Sequence, residues 1–286
     1  MRIIDSHLHV WDTDRLHYDW LGATPELKRP FGFRELAVDL AGSIRQPDGY
    51  VFVQADCRPG ESLAEVDWVS SLAADHPVAG IVAAAPLEDG DAVAARLDLL
   101  LERPLVVGVR RLLQSEPSGF ALTSAFLAGA GHLAAQNLTF DACVSAGQLS
   151  DVTALADAVP GLRIVLDHLG KPAVAGSGTD RDARDTWHRN LAALAERPNV
   201  SCKLSGLPPQ TGSADWTPEL ITPYLDAALE LFGAERCMFG SDWPASSLQT
   251  TYPRWLDFVV DWTEQLANDE RNQILSATAA SFYRLG

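Results

Sequence analysis

The sequence predicts a parallel α/β fold, a (β/α)8 TIM barrel, formed as one domain by residues 1–286. Short apolar runs rich in β-branched residues alternate with amphipathic helical segments eight times along the chain. No linker-like change in composition interrupts this alternation. An open, doubly wound sheet is the alternative fold. It is disfavoured because no GxGxxG pattern follows the first strand and because eight units use the whole chain.

The strand predictions depend on short runs of apolar residues. Several of these runs are almost continuously apolar, which is typical of parallel strands covered on both faces. The eight strands are predicted over residues 2–9, 50–56, 78–87, 106–113, 138–145, 163–170, 200–206 and 237–244.

The helix predictions depend on amphipathic spacing and on residues that begin helices. Ser150-Asp151, Thr217-Pro218 and Asn268-Asp269 are typical of helix starts. The long segment 10–49 is expected to be irregular, with at most one short helix over 33–44, and the GSG at 176–178 is expected to lie in a loop. The other helices are predicted over residues 61–76, 90–102, 119–136, 147–159, 181–196, 217–232, 251–266 and 268–285.

The composition argues against several classes of partner. Asp and Glu number 38 against 22 Lys and Arg, which gives a net charge of -16. Such a charge repels phosphate backbones and anionic lipids, so we expect neither nucleic acid nor a membrane as a partner. A small-molecule substrate is expected instead, and the sequence leaves open whether the protein is a monomer or a homo-oligomer.

The expected location is the cytoplasm. The sequence has no 18-residue apolar run, and its first residues lack the pattern of a signal peptide. Four cysteines occur without any close spacing, so we expect reduced core residues rather than disulfides or a metal motif. They are Cys57, Cys143, Cys202 and Cys237.

Ionisable or polar residues end seven of the eight predicted strands. The carboxyl ends of the strands form the reactive face of a (β/α)8 barrel, so these residues are expected to meet around one cavity. Burying so many charged groups would be costly unless they paired with one another or faced water. The strand-end residues include His7 and His9, Gln54, Arg110 and Arg111, Asp141, His168, Lys203 and Asp242, with Lys171 just beyond strand six.

The pair His7 and His9 is the sharpest signal among them. A strand repeats every two residues, so both imidazoles lie on one face, roughly 6.6 Å apart along the chain, and can converge on one ion or one oxygen atom. Asp242 is interpreted as a carboxylate at the barrel mouth that accepts a proton from water, with a helix cap or a loop turn as the alternative. His168 is interpreted as a donor to a carbonyl oxygen, with a buried histidine bonded to Asp167 as the alternative.

The remaining candidates are assigned to substrate binding. Arg110 and Arg111 cannot both face the cavity because adjacent strand residues alternate, and we favour Arg110. Lys171 and Lys203 are candidate substrate contacts, although each could instead serve its own turn or strand neighbour. Trp20 and Trp243, with Trp11, are expected to wall the pocket.

Six segments together resemble the amidohydrolase superfamily: DSHLHVWD, YDWLG, GVRRLLQ, VLDHLGKP, CKLSGL and FGSDWP. Within it they are similar to the amidohydrolase-2 branch, which holds sugar-acid lactonases and 2-pyrone-4,6-dicarboxylate lactonase. The resemblance implies a (β/α)8 barrel that hydrolyses a lactone ester. It also implies that His7 and His9 form the strand-one pair, that His168 is the strand-six histidine, and that Asp242 takes a proton from the attacking water.

The sequence departs from the binuclear members of this superfamily. Those members use a bridging Lys or Glu on strand four and a His on strand five, whereas this chain has Arg110 and Arg111 and then Asp141 and Cys143. Two metal ions are therefore not expected. A single zinc ion held by His7, His9 and Asp242 fits the pattern of a catalytic zinc site. A metal-free site, in which His168 and an arginine polarise the carbonyl, fits the same residues.

The resulting functional prediction is a lactonase in which Asp242 assists the attack of water on a sugar-derived aldonolactone, such as a deoxy-sugar lactone. Tryptophan faces suit the C–H side of a sugar ring, and Gln54, Asp141 and Gln148 are available for its hydroxyl groups. Three alternatives remain: a lactonase for a pyrone dicarboxylate, a metal-dependent decarboxylase on the same scaffold, and a non-catalytic protein that binds sugar acids.

Overall fold

The computed structural model describes residues 1–174 and 181–286 and confirms the predicted (β/α)8 barrel. Eight parallel strands form one sheet in chain order, and each is shorter than its predicted segment. The GSG at 176–178 lies outside the described residues. The strands are β1 (Ile4–Leu8), β2 (Gly49–Val53), β3 (Val78–Ala84), β4 (Val106–Leu112), β5 (Thr139–Cys143), β6 (Ile164–Leu166), β7 (Val200–Leu204) and β8 (Cys237–Phe239).

The barrel closes where the segment after β8 meets β1. Leu8 and Trp243 form a parallel bridge. The Asp242 N–H donates to the His7 carbonyl at 2.8 Å, and the His9 N–H donates to the Trp243 carbonyl at 2.8 Å. These backbone bonds place Asp242 beside the two strand-one histidines.

Helices cover the outside of the sheet. Pro218 occupies the first position of its helix after Thr217, as predicted. The helices are α1 (Phe33–Asp39), α2 (Ser62–Leu72), α3 (Val93–Leu101), α4 (Ser124–Ala135), α5 (Leu149–Ala158), α6 (Arg181–Ala195), α7 (Leu207–Gln210), α8 (Pro218–Phe232), α9 (Tyr252–Trp262), α10 (Asn268–Asn272) and α11 (Thr278–Tyr283), with a π-helical turn at Gln273–Ala277.

Two helix predictions were wrong in detail. Ser150 and Asp151 do not precede α5 but lie in its first turn, because Ser145 begins a 3-10 turn just before the helix. The Asp151 carboxylate instead accepts a hydrogen bond from the Gly119 N–H at 2.6 Å. The single helix predicted over 268–285 is divided by the π-helical turn into α10 and α11.

The core has two layers. Apolar side chains fill the barrel interior, and α11 contributes Phe282 and Tyr283 to the same cluster. A larger cluster lies between the sheet and the helices, which explains why the strands are apolar on both faces. All four cysteines are buried and free, as expected. Within the described ranges, no helix is long and apolar enough to cross a membrane.

Candidate active site

The two histidines of β1 meet tip to tip. The strand register shifts between Asp5 and Leu8, and such an irregularity redirects side chains along a strand. His7 Nε2 and His9 Nε2 lie 3.2 Å apart, and both residues are buried. The predicted convergence of the imidazoles on one point is therefore present in the structure.

Neighbouring groups fix the orientation of both rings. His9 Nδ1 lies 2.7 Å from the Val53 carbonyl oxygen, which only accepts, so Nδ1 carries a proton and donates to it. His7 Nδ1 lies 3.2 Å from Asp167 Oδ1 and 3.0 Å from Lys203 Nζ. Burial lowers the pKa of His7 well below its usual range, and the charge of Lys203 adds to this effect. Both rings direct Nε2 toward Asp242.

Asp242 lies at the centre of three imidazoles. Its Oδ1 atom is 3.5 Å from His9 Nε2, 3.8 Å from His7 Nε2 and 3.8 Å from His168 Nε2. Burial by itself would raise the pKa of Asp242, but the interactions with His168, His9 and His7 outweigh it and lower the pKa below its usual range. Asp242 is therefore an ionised carboxylate at neutral pH.

His168 approaches Asp242 from the turn that follows β6. Its Nδ1 atom lies 2.9 Å from the Ser205 hydroxyl, so its partner is Ser205 rather than Asp167, the partner in the alternative interpretation. Burial lowers the pKa of His168 to about 4, so the ring is neutral at pH 7. When the Ser205 hydroxyl donates to Nδ1, the neutral ring carries its proton on Nε2, which faces the cavity.

Lys203 and Asp141 lie beneath His7 rather than against the cavity. Both are completely buried, and the Lys203 ammonium lies 2.5 Å from Asp141 Oδ2 and 3.1 Å from Asp167 Oδ1. The Tyr283 hydroxyl donates to Asp141 at 2.8 Å. The predicted substrate contacts of Lys203 and Asp141 are therefore corrected to a buried ionic network, because both side chains stand too deep in the barrel.

The network holds one firmly ionised carboxylate. Burial raises the pKa of Asp141 to about 6 despite its ion pair with Lys203. Burial would also raise the pKa of Asp167, but Lys203 and His7 hold it well below its usual range. Asp167 therefore supplies the negative charge that orients His7 from below.

Arg110 faces the barrel interior and Arg111 faces outward. Arg110 Nη2 donates to the Gln54 carbonyl at 2.5 Å, and Nη1 lies 3.3 Å from His7 Nε2. Arg111 instead pairs with Glu88 and Glu116 at 2.8 and 2.6 Å. The preference for Arg110 at the site agrees with this geometry, and strand alternation is the reason.

A cavity of about 300 Å³, here called the central cavity, opens above these groups. Trp20 and Lys171 line it, as expected from the sequence. Trp243 does not, because its indole N–H donates to Asp39 at 2.7 Å and its side chain is almost fully buried. The polar residues of the lining are His9, Asp56, Arg110, Gln114, His168, Lys171, Gln210 and Asp242.

Two predicted hydroxyl partners face away from the central cavity. Gln54 Oε1 accepts a hydrogen bond from the Asp56 N–H at 2.6 Å. Gln148 donates to the Leu113 and Glu116 carbonyls at 2.7 and 2.9 Å. Both amides stabilise loops, so neither lines the central cavity.

Sequence reasoning did not assign site roles to Ser205, Asp167 and Tyr283. Ser205 lies one residue past the end of β7 and two residues after Lys203, so the two-residue period of a strand would have indicated it. Asp167 is adjacent to His168, and the sequence indicates it only as a hydrogen-bond partner of that histidine. Tyr283 reaches the site from the last helix, and no local signal indicates that contact.

The donor set suits a zinc ion. His7 Nε2, His9 Nε2 and Asp242 Oδ1 lie within 3.8 Å of one another and are the proposed ligand set. His7, His168 and Asp242 are a second candidate set, with ligand atoms all within 4.8 Å of one another. Neutral imidazoles and a carboxylate are ordinary zinc ligands. The outer nitrogens of His9 and His7 meet the Val53 carbonyl and Asp167, the kind of support that metal-binding histidines use.

Comparison with known proteins identifies the family. The amidohydrolase family model, Amidohydro_2, matches residues 4–285. The chain belongs to the amidohydrolase family. Among curated amidohydrolase relatives, an L-fucono-1,5-lactonase of Burkholderia multivorans is 35% identical over 99% of this chain and 96% of its own. An L-fucono-1,5-lactonase of Burkholderia ambifaria is 33% identical over 99% of this chain and 95% of its own.

A solved amidohydrolase agrees in fold over the whole chain. The crystal structure of an amidohydrolase from Burkholderia multivorans with bound zinc has a TM-score of 0.86 and 31% identity, and each chain is covered completely. The likeness therefore includes the strand ends that form the candidate site of this amidohydrolase.

Proposed function

We propose that this amidohydrolase is a lactonase that opens a sugar-derived aldonolactone by addition of water. The observation that carries the proposal is the position of the Asp242 carboxylate, held among His7, His9 and His168 beside the central cavity. The names of the L-fucono-1,5-lactonase relatives support a deoxy-sugar lactone as the substrate.

Asp242 acts as the general base in the proposed reaction. It accepts a proton from water as the water oxygen bonds to the ring carbonyl carbon, and the carbonyl oxygen takes up negative charge. The ester bond between that carbon and the ring oxygen then breaks. Asp242 returns its proton to the leaving alkoxide, and the product is an open-chain hydroxy acid.

Cavity groups stabilise the charge that develops on the carbonyl oxygen. The His168 Nε2–H and the Arg110 guanidinium face the central cavity and are held by Ser205 and the Gln54 carbonyl. Fixed donors in a site shielded from water are effective because they need no rearrangement during the reaction. A zinc ion held by His7, His9 and Asp242 would supply Lewis-acid polarisation of the same carbonyl.

The charge around the central cavity suits a neutral lactone. Its cationic lining residues, Arg110 and Lys171, are matched by two carboxylates, Asp56 and Asp242. A dicarboxylate would need several uncompensated cations, since each buried charge requires a partner. Trp20, which is partly exposed in the lining, offers an aromatic surface to the C–H side of a sugar ring.

The test is a panel of aldonolactones, including L-fucono-1,5-lactone, followed by a pH indicator with wild-type protein and Asp242→Asn. We expect acid release by the wild type and a kcat lower by about two to four orders of magnitude in the variant, the usual worth of a positioned acid–base group. Asp269→Asn, an exposed change on α10, is the matched control and should retain full activity.

Two results would contradict this proposal. Near-wild-type turnover by folded Asp242→Asn would remove Asp242 from the role of base. Release of carbon dioxide from an aromatic carboxylate, with no lactone hydrolysed, would indicate a decarboxylase instead.

A further inference from the structure

A second cavity adjoins the central cavity and has no role in the proposed reaction. This side cavity measures about 360 Å³, within the usual range of small-molecule sites. The two cavities share Asp56, Arg110 and Leu112 in their linings. The side cavity is therefore directly connected to the cavity that holds the reacting groups.

One positive charge in the side cavity is not compensated. Arg96 on α3 is half-buried at the cavity wall and makes no ion pair or hydrogen bond within the described parts of the chain. Arg111, on the same wall, is balanced by Glu88 and Glu116. Arg110 is directed to the Gln54 carbonyl and toward Asp167. An unpaired guanidinium in a cavity is a ready partner for a carboxylate, which it can bind through two parallel bonds.

The rest of the lining favours a monoanion that also carries hydroxyl groups. Glu88 and Asp56 also line the side cavity and would repel a dianion such as phosphate more strongly than a monoanion. Gln54, Ser62 and these carboxylates offer several hydrogen-bonding atoms, and Pro59 and Ala85 add apolar surface. Acceptors for hydroxyls, the Arg96 guanidinium and an apolar surface match a polyhydroxy carboxylate.

We propose that the side cavity binds a polyhydroxy carboxylate, with its carboxylate group on Arg96. The choice of acid rests on the proposed function, since lactone hydrolysis produces such a carboxylate beside Arg110 and Asp56. The ring-opened product then binds in the side cavity as well as in the central cavity. Product that accumulates therefore inhibits the enzyme, and part of this inhibition is not competitive with the lactone.

The test measures binding of L-fuconate by calorimetry, which needs no turnover. We expect two binding events in wild-type protein and, in Arg96→Gln, a 10- to 100-fold weaker second event, the usual worth of a hydrogen bond to a charged group. Arg34→Gln is the matched control, because Arg34 is exposed on α1 and its change removes the same charge. Its isotherm should equal that of the wild type, and L-fucitol, which lacks the carboxylate, should bind equally to all three proteins.

The outcomes of these experiments test the side site independently of the proposed lactonase activity. An isotherm that Arg96→Gln leaves unchanged overturns the side site, and so does an equal loss in Arg34→Gln, which would reflect net charge alone. Arg96-dependent binding in a protein that hydrolyses no lactone would preserve the side site and overturn the proposed function. In the kinetic assay, Arg96→Gln should leave only competitive inhibition by L-fuconate.

Discussion

Two buried carboxyl groups near the site have pKa values shifted in opposite directions, and their partners explain the difference. Asp242 is surrounded by imidazoles, and its pKa lies below the usual range. Glu65 on α2 is completely buried, and its Oε1 accepts one backbone hydrogen bond from Ala55 at 3.2 Å. Burial therefore raises the pKa of Glu65 to about 7. Environment, not residue type, decides which of them is a base at neutral pH.

Glu65 should make stability depend on pH. Its pKa is about 7 in the folded protein, whereas a glutamate side chain exposed to water has a pKa of 4.5, so the folded state prefers the protonated form. The stability that Glu65 contributes is fully present below pH 4.5. It is lost as the pH rises through 7, and the free energy of unfolding then falls by about 3 kcal/mol. We expect Glu65→Gln to flatten the dependence of the free energy of unfolding on pH between about 4.5 and 7, measured by urea denaturation. Glu264→Gln, an exposed change, should leave the dependence as it is in the wild type.

The histidines at the site predict the metal content. Dialysed protein should carry at most about one equivalent of zinc per chain, because the ligand atoms converge around one carboxylate oxygen of Asp242. Elemental analysis should show a lower zinc content in His9→Ala and no change in His132→Ala, whose ring pairs with Asp91 on the surface. Two equivalents in the dialysed wild type would contradict the single-metal interpretation.

At the scale of elements, the turn between β7 and α7 positions His168. Gly206 in this turn has a φ of 61°, which favours glycine. A Cβ atom there would lie 2.4 Å from His168 Nδ1, the atom that meets the Ser205 hydroxyl. The turn after β7 therefore packs directly against the histidine that follows the neighbouring strand β6.

Comparing two glycines separates the backbone effect from the effect on His168. Gly212 has a φ of 67°, but nothing lies within 4 Å of the position of its Cβ. We expect Gly212→Ala to lose about 1–2 kcal/mol of stability from the left-handed backbone, with kcat unchanged. Gly206→Ala should lose more stability and lower kcat by about 100-fold, since His168 must move. Equal kcat values in thermally stable variants would show that the turn does not position the ring.

At the scale of the whole molecule, one lysine connects distant parts of the barrel. Lys203 on β7 contacts Asp141 on β5, Asp167 after β6 and His7 on β1, and Tyr283 of α11 completes the network through Asp141. All five residues are buried. A lone buried charge is costly, so these groups stabilise the fold only as a set.

Removing that lysine should destabilise the whole barrel. Lys203→Met leaves the Asp141 and Asp167 carboxyls without their shared cation, and we expect a loss of about 3–5 kcal/mol in the free energy of unfolding. Guanidinium denaturation followed by circular dichroism measures it. Lys28→Met, an exposed change in the first long loop, should remain within about 0.5 kcal/mol of the wild type.

Local patterns in the sequence were sufficient to predict the barrel and the end of it at which the polar residues meet. Apolar runs and helical spacing located all eight strands, because these patterns depend only on near neighbours. The alternation of strand residues likewise predicted that His7 and His9 converge and that Arg110 faces inward. Asp242 and His168 followed from their positions at strand ends.

Tertiary structure alone decided how deep each polar side chain lies. Alternation assigns a residue to a face of the strand but gives no height within the barrel, so Lys203 and Asp141 are buried while Lys171 reaches the cavity. Trp243 is held by Asp39, more than two hundred residues away in the chain, and Tyr283 reaches Asp141 from the last helix. Such contacts depend on how the closed barrel and its helices pack, which no window of neighbouring residues contains.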